Sequence, residues 1–377
     1  MKSASHKATP LASARRIVIK IGSSLLVDEA SGQIRRPWLD ALIDDIAACK
    51  TRGQGVIIVT SGAVAVGRRP LHLPPGPLRL EEKQAAAAAG QIRLAHAYQE
   101  SLARHEMTVA QILLTVDDSE NRRRYLNARN TLSVLLRQKA VPLINENDTV
   151  ATQEIRVGDN DRLAARVAQM ISADVLILFS DIDGLYTANP RTDPHARFIP
   201  EVRALTPEIE AMAGDPGSAV GSGGMVTKLA AARIALSAGC AMVIALGKPV
   251  HCLKILGDGG PCTWFHPSNE PRTARKQWIT GSVKPVGVLH VDAGAVRALK
   301  EGSSLLPAGV TMVEGAFQRG DTVLVRSPDG RVLARGLSAY SAGDAALIVG
   351  HKSGEIEDIL GYRGRDEIIH RDDLVLE

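Results

Sequence analysis

Two lysines stand beside the most pliable backbone in an otherwise apolar stretch of chain. Lys20 falls within Ile17-Val18-Ile19-Lys20-Ile21, just ahead of Gly22-Ser23-Ser24, and Lys228 closes the run Gly221-Ser222-Gly223-Gly224-Met225-Val226-Thr227-Lys228. Glycines let backbone N–H groups close on phosphate oxygens, and a lysine supplies a mobile point charge for whatever charge develops during transfer. The pair therefore suggests a phosphate site. The second run is not a Walker loop, because no glycine immediately precedes its lysine and no Ser or Thr follows it. What remains is a nest of N–H donors opening a helix predicted over 227–238, with a cation in the first turn, which suits nucleotide phosphates. The bland alternatives are a strand-end lysine in solvent and a flexible glycine turn.

Between these lysines the stretch INENDTVATQEIRVGDND, residues 144–161, packs Asn145, Glu146, Asn147, Asp148, Asp159, Asn160 and Asp161 together. A helix cap accounts for one such residue but not for seven. Carboxylates mixed with carboxamides can hold the ammonium of an amino acid, and a carboxylate between two lysines would keep them oriented. Ser180-Asp181-Ile182-Asp183-Gly184 reads either as an Asp-Gly turn or as a rest for a nucleotide base and ribose, and spacing alone leaves both open.

The elements that must position these residues alternate. Apolar runs at 17–21, 56–60, 107–114, 141–144 and 175–179 read as strands, and the segments 37–52, 81–104, 120–138 and 161–171 carry helical spacing. Strands alternating with helices imply parallel β-α-β units, so the polar segments after the strands share one sheet edge, where open α/β folds place ligands. The periodicity lapses around 256–281 amid Gly257, Gly259, Gly260, Pro261, Pro267 and Pro271. Beyond it, runs at 286–291, 310–313, 322–326, 332–334 and 346–349 read as short strands of a small β-rich barrel. The expected organisation is a flexible tail over 1–14, a catalytic domain over 15–266, a linker over 267–281 and a second domain over 282–377. Its fold class is α/β, a mainly parallel open sheet sandwiched by helices, plus that barrel.

Composition narrows the function classes. Of 377 residues, 45% are hydrophobic but only 3% aromatic, so Ala, Val, Leu and Ile must build the core, as in buried parallel strands. No stretch has the length and apolarity of a secretory signal or a membrane span, which points to a cytoplasmic protein without membrane partners. The four cysteines, Cys49, Cys240, Cys252 and Cys262, lack metal or redox spacing and read as reduced structural thiols. Net charge is +4; residues 281–377 hold 11 Lys and Arg against 14 Asp and Glu, which leaves +7 on the first 280. The positive excess lies with the phosphate site and not where an RNA-binding tail would want it.

Taken together, the blocks VIKIGSS (18–24), TSGAVAVGR (60–68), KQAAAAAGQ (83–91), YLNARNT (125–131), INENDTVATQEIRVGDND (144–161), SDIDGLYTANPR (180–191), GSGGMVTK (221–228) and GSSLLPAGV (302–310) resemble the amino acid kinase family, in the glutamate-phosphorylating branch that carries a C-terminal PUA domain. The resemblance covers nearly the whole chain. It implies transfer of the γ-phosphoryl group of ATP, with Mg²⁺, to the side-chain carboxylate of L-glutamate, the first step of proline biosynthesis. It gives Lys20 and Lys228 the stabilisation of the transferring group, with Asp161 orienting them. Ser61, Asp148 and Asn160 would hold glutamate; Lys20, Ser180, Asp181 and the run Ser222, Gly223, Gly224, Met225, Val226, Thr227 and Lys228 would hold ATP. Proline as a feedback inhibitor and a homodimer or homotetramer are further implications. Acetylglutamate, aspartate and carbamate kinases share the fold and are the nearest rivals. RNA binding is the competing role for the PUA-like domain, and its charge balance argues for regulation or assembly instead.

Overall fold

The computed structural model describes residues 10–150, 159–213, 224–271, 273 and 285–377. The chain divides into two compact units, one of residues 1–120 and 127–271, the other of residues 121–126 and 272–377.

Among the described residues the first unit has ten strands: β1 (Arg16–Ile21), β2 (Gly55–Val59), β3 (Val109–Leu114), β4 (Val141–Glu146), β5 (Val175–Ser180), β6 (Leu185–Tyr186), β7 (Phe198–Ile199), β8 (Glu201–Val202), β9 (Ala241–Leu246) and β10 (Cys262–Phe265). Eight of them form one sheet in the order β3-β4-β2-β1-β5-β9-β10-β8, with β6 and β7 paired separately. From β3 to β9 every neighbour is parallel; only β9 and β10 run antiparallel. Because helices cover both faces, the central strands are apolar without alternation: Ile17, Val18, Ile19 and Ile21 in β1 and Val56 to Val59 in β2 have no exposed surface. Lys20 interrupts that run in β1 as a buried charge, and it lies in register with Val59 and Leu178, near the carboxyl ends of three strands.

Five helices matter for the site: α1 (Arg36–Thr51), α2 (Ala63–Arg68), α3 (Leu80–Ala103), α4 (Asp159–Met170) and α5 (Met225–Ser237). The first opens with Pro37 near its start, where the missing N–H costs nothing, and buries Leu39, Leu42, Ile43 and Ile46. Helices α2 and α3 cross at backbone distance through Gly67 and Gly90. A Cβ on Gly90 would overlap the carbonyl oxygen of Ala63, and one on Gly67 that of Ala86, so both positions require glycine.

The four cysteines are free, with Cys49, Cys240 and Cys252 buried and Cys262 partly so. Burial raises all four thiols, Cys252 to about 12, which suits inert packing. Among the described residues no helix is long and apolar enough to cross a membrane.

The second unit carries a mixed five-stranded sheet in the order β12-β11-β13-β14-β15, from β11 (Gly287–Val291), β12 (Val310–Gly315), β13 (Thr322–Arg326), β14 (Val332–Leu337) and β15 (Leu374–Leu376). One expected strand is wrong: Ala346–Val349 belongs with a helix over Ala342–Ile348. Ser341 caps that helix, its hydroxyl accepting from Asp344 N (3.2 Å) and donating to Asp344 Oδ2 (2.9 Å). An apolar run of four cannot separate strand from helix; the Ser-x-x-Asp cap upstream does.

Candidate active site

The carboxyl ends of β1, β2, β4 and β5 open onto one cavity of about 1120 Å³. Lys20, Ser61, Asn145, Asp148, Asn160, Ser180, Asp181 and Lys228 line it. Lys20, Asn145 and Ser180 lie at the carboxyl ends of strands, Ser61, Asp148 and Asp181 in the segments that follow them, and Asn160 and Lys228 in the first turns of helices. Between β2 and α2 the chain turns at Gly62, whose φ of 105° is the left-handed region that favours glycine. Helix α4 starts at Asp159, which sets Asn160 and Asp161 in its first turn beneath that edge.

At the floor, Asp161 joins the two lysines. Lys20 Nζ lies 2.7 Å from its Oδ1 and Lys228 Nζ 3.2 Å from its Oδ2, and all three side chains are at least nine-tenths buried. Thr227 adds a third hold, its hydroxyl 3.0 Å from Asp161 Oδ2 and 2.9 Å from the Gly224 carbonyl oxygen. Burial would raise the Asp161 carboxyl, but the facing charges of Lys20 and Lys228 outweigh it and hold the group below the usual carboxylate range. Burial, with Lys228 nearby, lowers Lys20 against the opposing pull of Asp161. Two ammonium groups sharing one carboxylate leave a formal +1 among buried side chains, where charge acts more strongly than in bulk water.

Above them is a network of amides. Asn160 Nδ2 reaches the Thr60 carbonyl oxygen (2.9 Å), Ser61 Oγ (2.7 Å) and Asn145 Oδ1 (3.1 Å). Every one is an acceptor in that contact, so the Ser61 hydroxyl proton is left to donate elsewhere. Asn160 Oδ1 is buried and has no partner among the described residues. Asp148 is 9% exposed, has no cation beside it among those residues, and is pushed up to about 6 by burial. The cavity thus offers two acceptors that want a positive donor.

Of the remaining expected nucleotide residues, Ser180 and Asp181 line the same cavity. Ser180 Oγ is 3.2 Å from Asp181 Oδ1, and Asp181 Oδ2 accepts from Arg191 Nη2 at 2.6 Å. Gly224 is the N-cap of α5 and Met225, Val226, Thr227 and Lys228 form its first turn, with no side chain capping the helix start. Ser222 and Gly223 lie outside the described residues. Sequence reasoning missed Thr227 as a partner of Asp161, and it missed the contacts of Asn145 and Arg191. The Thr one position before Lys228 was the available signal, since adjacent first-turn residues can both face back over a helix start.

The amino acid kinase family pattern matches residues 15–246, and the PUA domain pattern matches residues 287–360. The chain belongs to the amino acid kinase family and is an ATP-dependent kinase with a C-terminal PUA domain. It is similar along its length to proteins named glutamate 5-kinase. That of Paramagnetospirillum magneticum is 73% identical over 369 residues, covering 98% of this chain and all of the relative. Those of Rhodospirillum rubrum and Agrobacterium fabrum are 66% and 60% identical, covering 96% and 97% of this chain and 96% and 94% of their own.

Proposed function

We propose that the chain transfers the γ-phosphoryl group of ATP to the side-chain carboxylate of L-glutamate, giving L-glutamyl 5-phosphate and ADP at the entry to proline biosynthesis. The observation that carries this reading is the pairing, in one cavity, of a buried two-lysine cluster with two acceptors, Asp148 and Asn160 Oδ1, that lack a cation. The lysines suit a migrating phosphoryl group, and the acceptors suit the α-ammonium of a free amino acid. Acetylglutamate has no such ammonium, so Asp148 would stay unpaired. Aspartate is one methylene short and would hold its carboxylate back from the lysines.

In the proposed reaction the glutamate carboxylate, with a pKa of about 4.3, is already ionised at neutral pH and needs no general base. Lys20 and Lys228 take up charge on the transferring oxygens, and Asp161 with Thr227 keeps both heads aimed at one point. Ser61 donates to the substrate, and the uncapped start of α5 offers N–H groups to the nucleotide phosphates together with Ser180 and Asp181. Among the described residues no three His, Cys, Asp or Glu side chains converge as a metal cage, and the Asp161 carboxylate is taken by the lysines. Mg²⁺ accompanying ATP would supply charge neutralisation at the phosphates, beside Lys20 and Lys228.

The test is ATP- and Mg²⁺-dependent acyl phosphate formation, trapped with hydroxylamine, across glutamate, aspartate and acetylglutamate. Glutamate is expected to react best. Inert glutamate beside another reactive acid overturns the proposal.

A further inference from the structure

Helix α3 lends Lys83 to the cavity lining, and two of its other side chains fix the residues around which Asn160 is arranged. The orientation starts from a backbone donor. Glu146 N donates to Asn145 Oδ1 at 2.9 Å, so the Asn145 amide must turn its Nδ2 the other way, and that atom donates to Gln91 Oε1 at 2.7 Å. Gln91 is thereby committed as an acceptor, and its own Nε2 is buried with no partner among the described residues. Reversing the Asn145 amide would set donor against donor at Glu146 N and at Asn160 Nδ2, and reversing Gln91 would do so at Asn145 Nδ2. A buried amide donor left unmade is unfavourable, so its persistence here marks a constraint imposed from Asn145.

Tyr98 lies seven residues further along, two turns up the same face of α3. It is fully buried, and its phenolic oxygen is 3.1 Å from Thr60 Oγ1, while the Thr60 carbonyl accepts from Asn160 Nδ2. One helix thus holds Asn145 through Gln91 and Thr60 through Tyr98, and both residues it holds are acceptors for the same Asn160 amide.

We propose that Gln91 and Tyr98 are positioning residues for the amino-acid substrate: they fix Asn145 and Thr60 so that Asn160 keeps Nδ2 toward the protein and offers Oδ1 to the substrate ammonium. This rests on the reading of Asn160 as part of the glutamate site. The discriminating variants are Gln91→Met, which removes the acceptor, and Gln91→Glu, which keeps an acceptor toward Asn145 Nδ2 and replaces the nitrogen that has no partner with a second oxygen of an ionisable carboxyl. Tyr98→Phe tests the second hold.

The experiment combines glutamate binding by calorimetry without nucleotide, KM for glutamate and for ATP, kcat, and thermal melts of the full chain. Gln91→Met is expected to weaken glutamate about tenfold, the scale of one lost polar contact, with the KM for ATP and kcat within about threefold. Gln91→Glu should stay near wild type and Tyr98→Phe should weaken glutamate several-fold. The inference is overturned if Gln91→Met binds glutamate like wild type, or if Gln91→Glu is damaged equally and both melts fall together. Should Gln91→Met fail to fold, the remaining pair decides: Tyr98→Phe must weaken glutamate and Gln91→Glu must not. Wild-type protein that binds no glutamate overturns the functional reading itself, and this inference with it; wild type that binds while the variants are unaffected sinks this inference alone.

Discussion

Replacing Asp148 with Asn should stabilise the free protein and cripple it as a glutamate enzyme. Burial lifts this carboxyl from 3.8 to about 6, with no cation beside it among the described residues. A shift of roughly two units at about 1.4 kcal/mol each costs the fold about 3 kcal/mol at pH 8. The sign follows from the raised value: the charged form is penalised in the folded state, so the penalty is complete above about pH 6 and gone below 3.8. Asparagine keeps the shape without the charge, although its amide also needs partners, at about 1 kcal/mol. The net gain expected at pH 8 is about 2 kcal/mol, a rise of several degrees in the melting temperature of the kinase unit, shrinking as pH falls toward 4. Glutamate, which stabilises wild type by mass action, should no longer raise the melting temperature of the variant. Thermal melts of both proteins at pH 4, 5, 6 and 8, with and without glutamate, test this. A variant less stable than wild type at pH 8, or a gain independent of pH, would refute the reasoning.

The same ionisation should shape catalysis: kcat/KM for glutamate is expected to fall as pH drops through about 6, and a profile flat down to pH 5 would remove Asp148 from ammonium binding. Lys228→Ala should lower kcat by on the order of a hundredfold, as for loss of a charge contact made in the transition state, while folding persists because Lys20 still pairs with Asp161; an unchanged rate would take Lys228 out of the mechanism. Asp161→Ala strands two buried ammonium groups, so a destabilisation of about 3–5 kcal/mol is expected in urea unfolding, and a loss below about 1 kcal/mol would show that the cluster is solvated. Gly90→Ala must push α2 off α3 and should cost more than about 2 kcal/mol together with glutamate turnover; a silent variant would contradict the close crossing. In a gel shift with the full chain and tRNA at low salt, no tight binding is expected, given the −3 balance of residues 281–377, and tight, salt-sensitive binding would overturn that expectation.

What could be read from the residues was what local chemistry leaves exposed to inspection. Lys20 interrupts a β-branched run that needs no charge, and Asp161 ends a polar stretch too dense for a cap, so both stood out before any coordinates. So did β1, β2, β4 and β5, because burial on both faces makes their sequences largely apolar; β3, a partly exposed edge strand, was also readable, whereas β9 did not stand out. Gln91 and Tyr98 did not, since a glutamine and a tyrosine on an alanine-rich helix look like ordinary surface and core; their meaning lies in contacts 38 to 54 residues away in sequence. Thr227 was legible as part of a phosphate run but not as a partner of Asp161, a contact made across 66 residues. Ala346–Val349 went wrong because four apolar residues fit either period, and the nearby cap was overlooked.

The placement of the thiols has a practical reach. All four cysteines fall at or before residue 262, in the kinase unit, and none in the PUA unit. Three are buried and their reactivity is suppressed at neutral pH, so alkylation of Cys49, Cys240 and Cys252 demands that this unit open. The chain therefore carries a native chemical clock for one half of itself, readable by mass spectrometry without any introduced label. Slowed modification in the presence of a small molecule would report its engagement there.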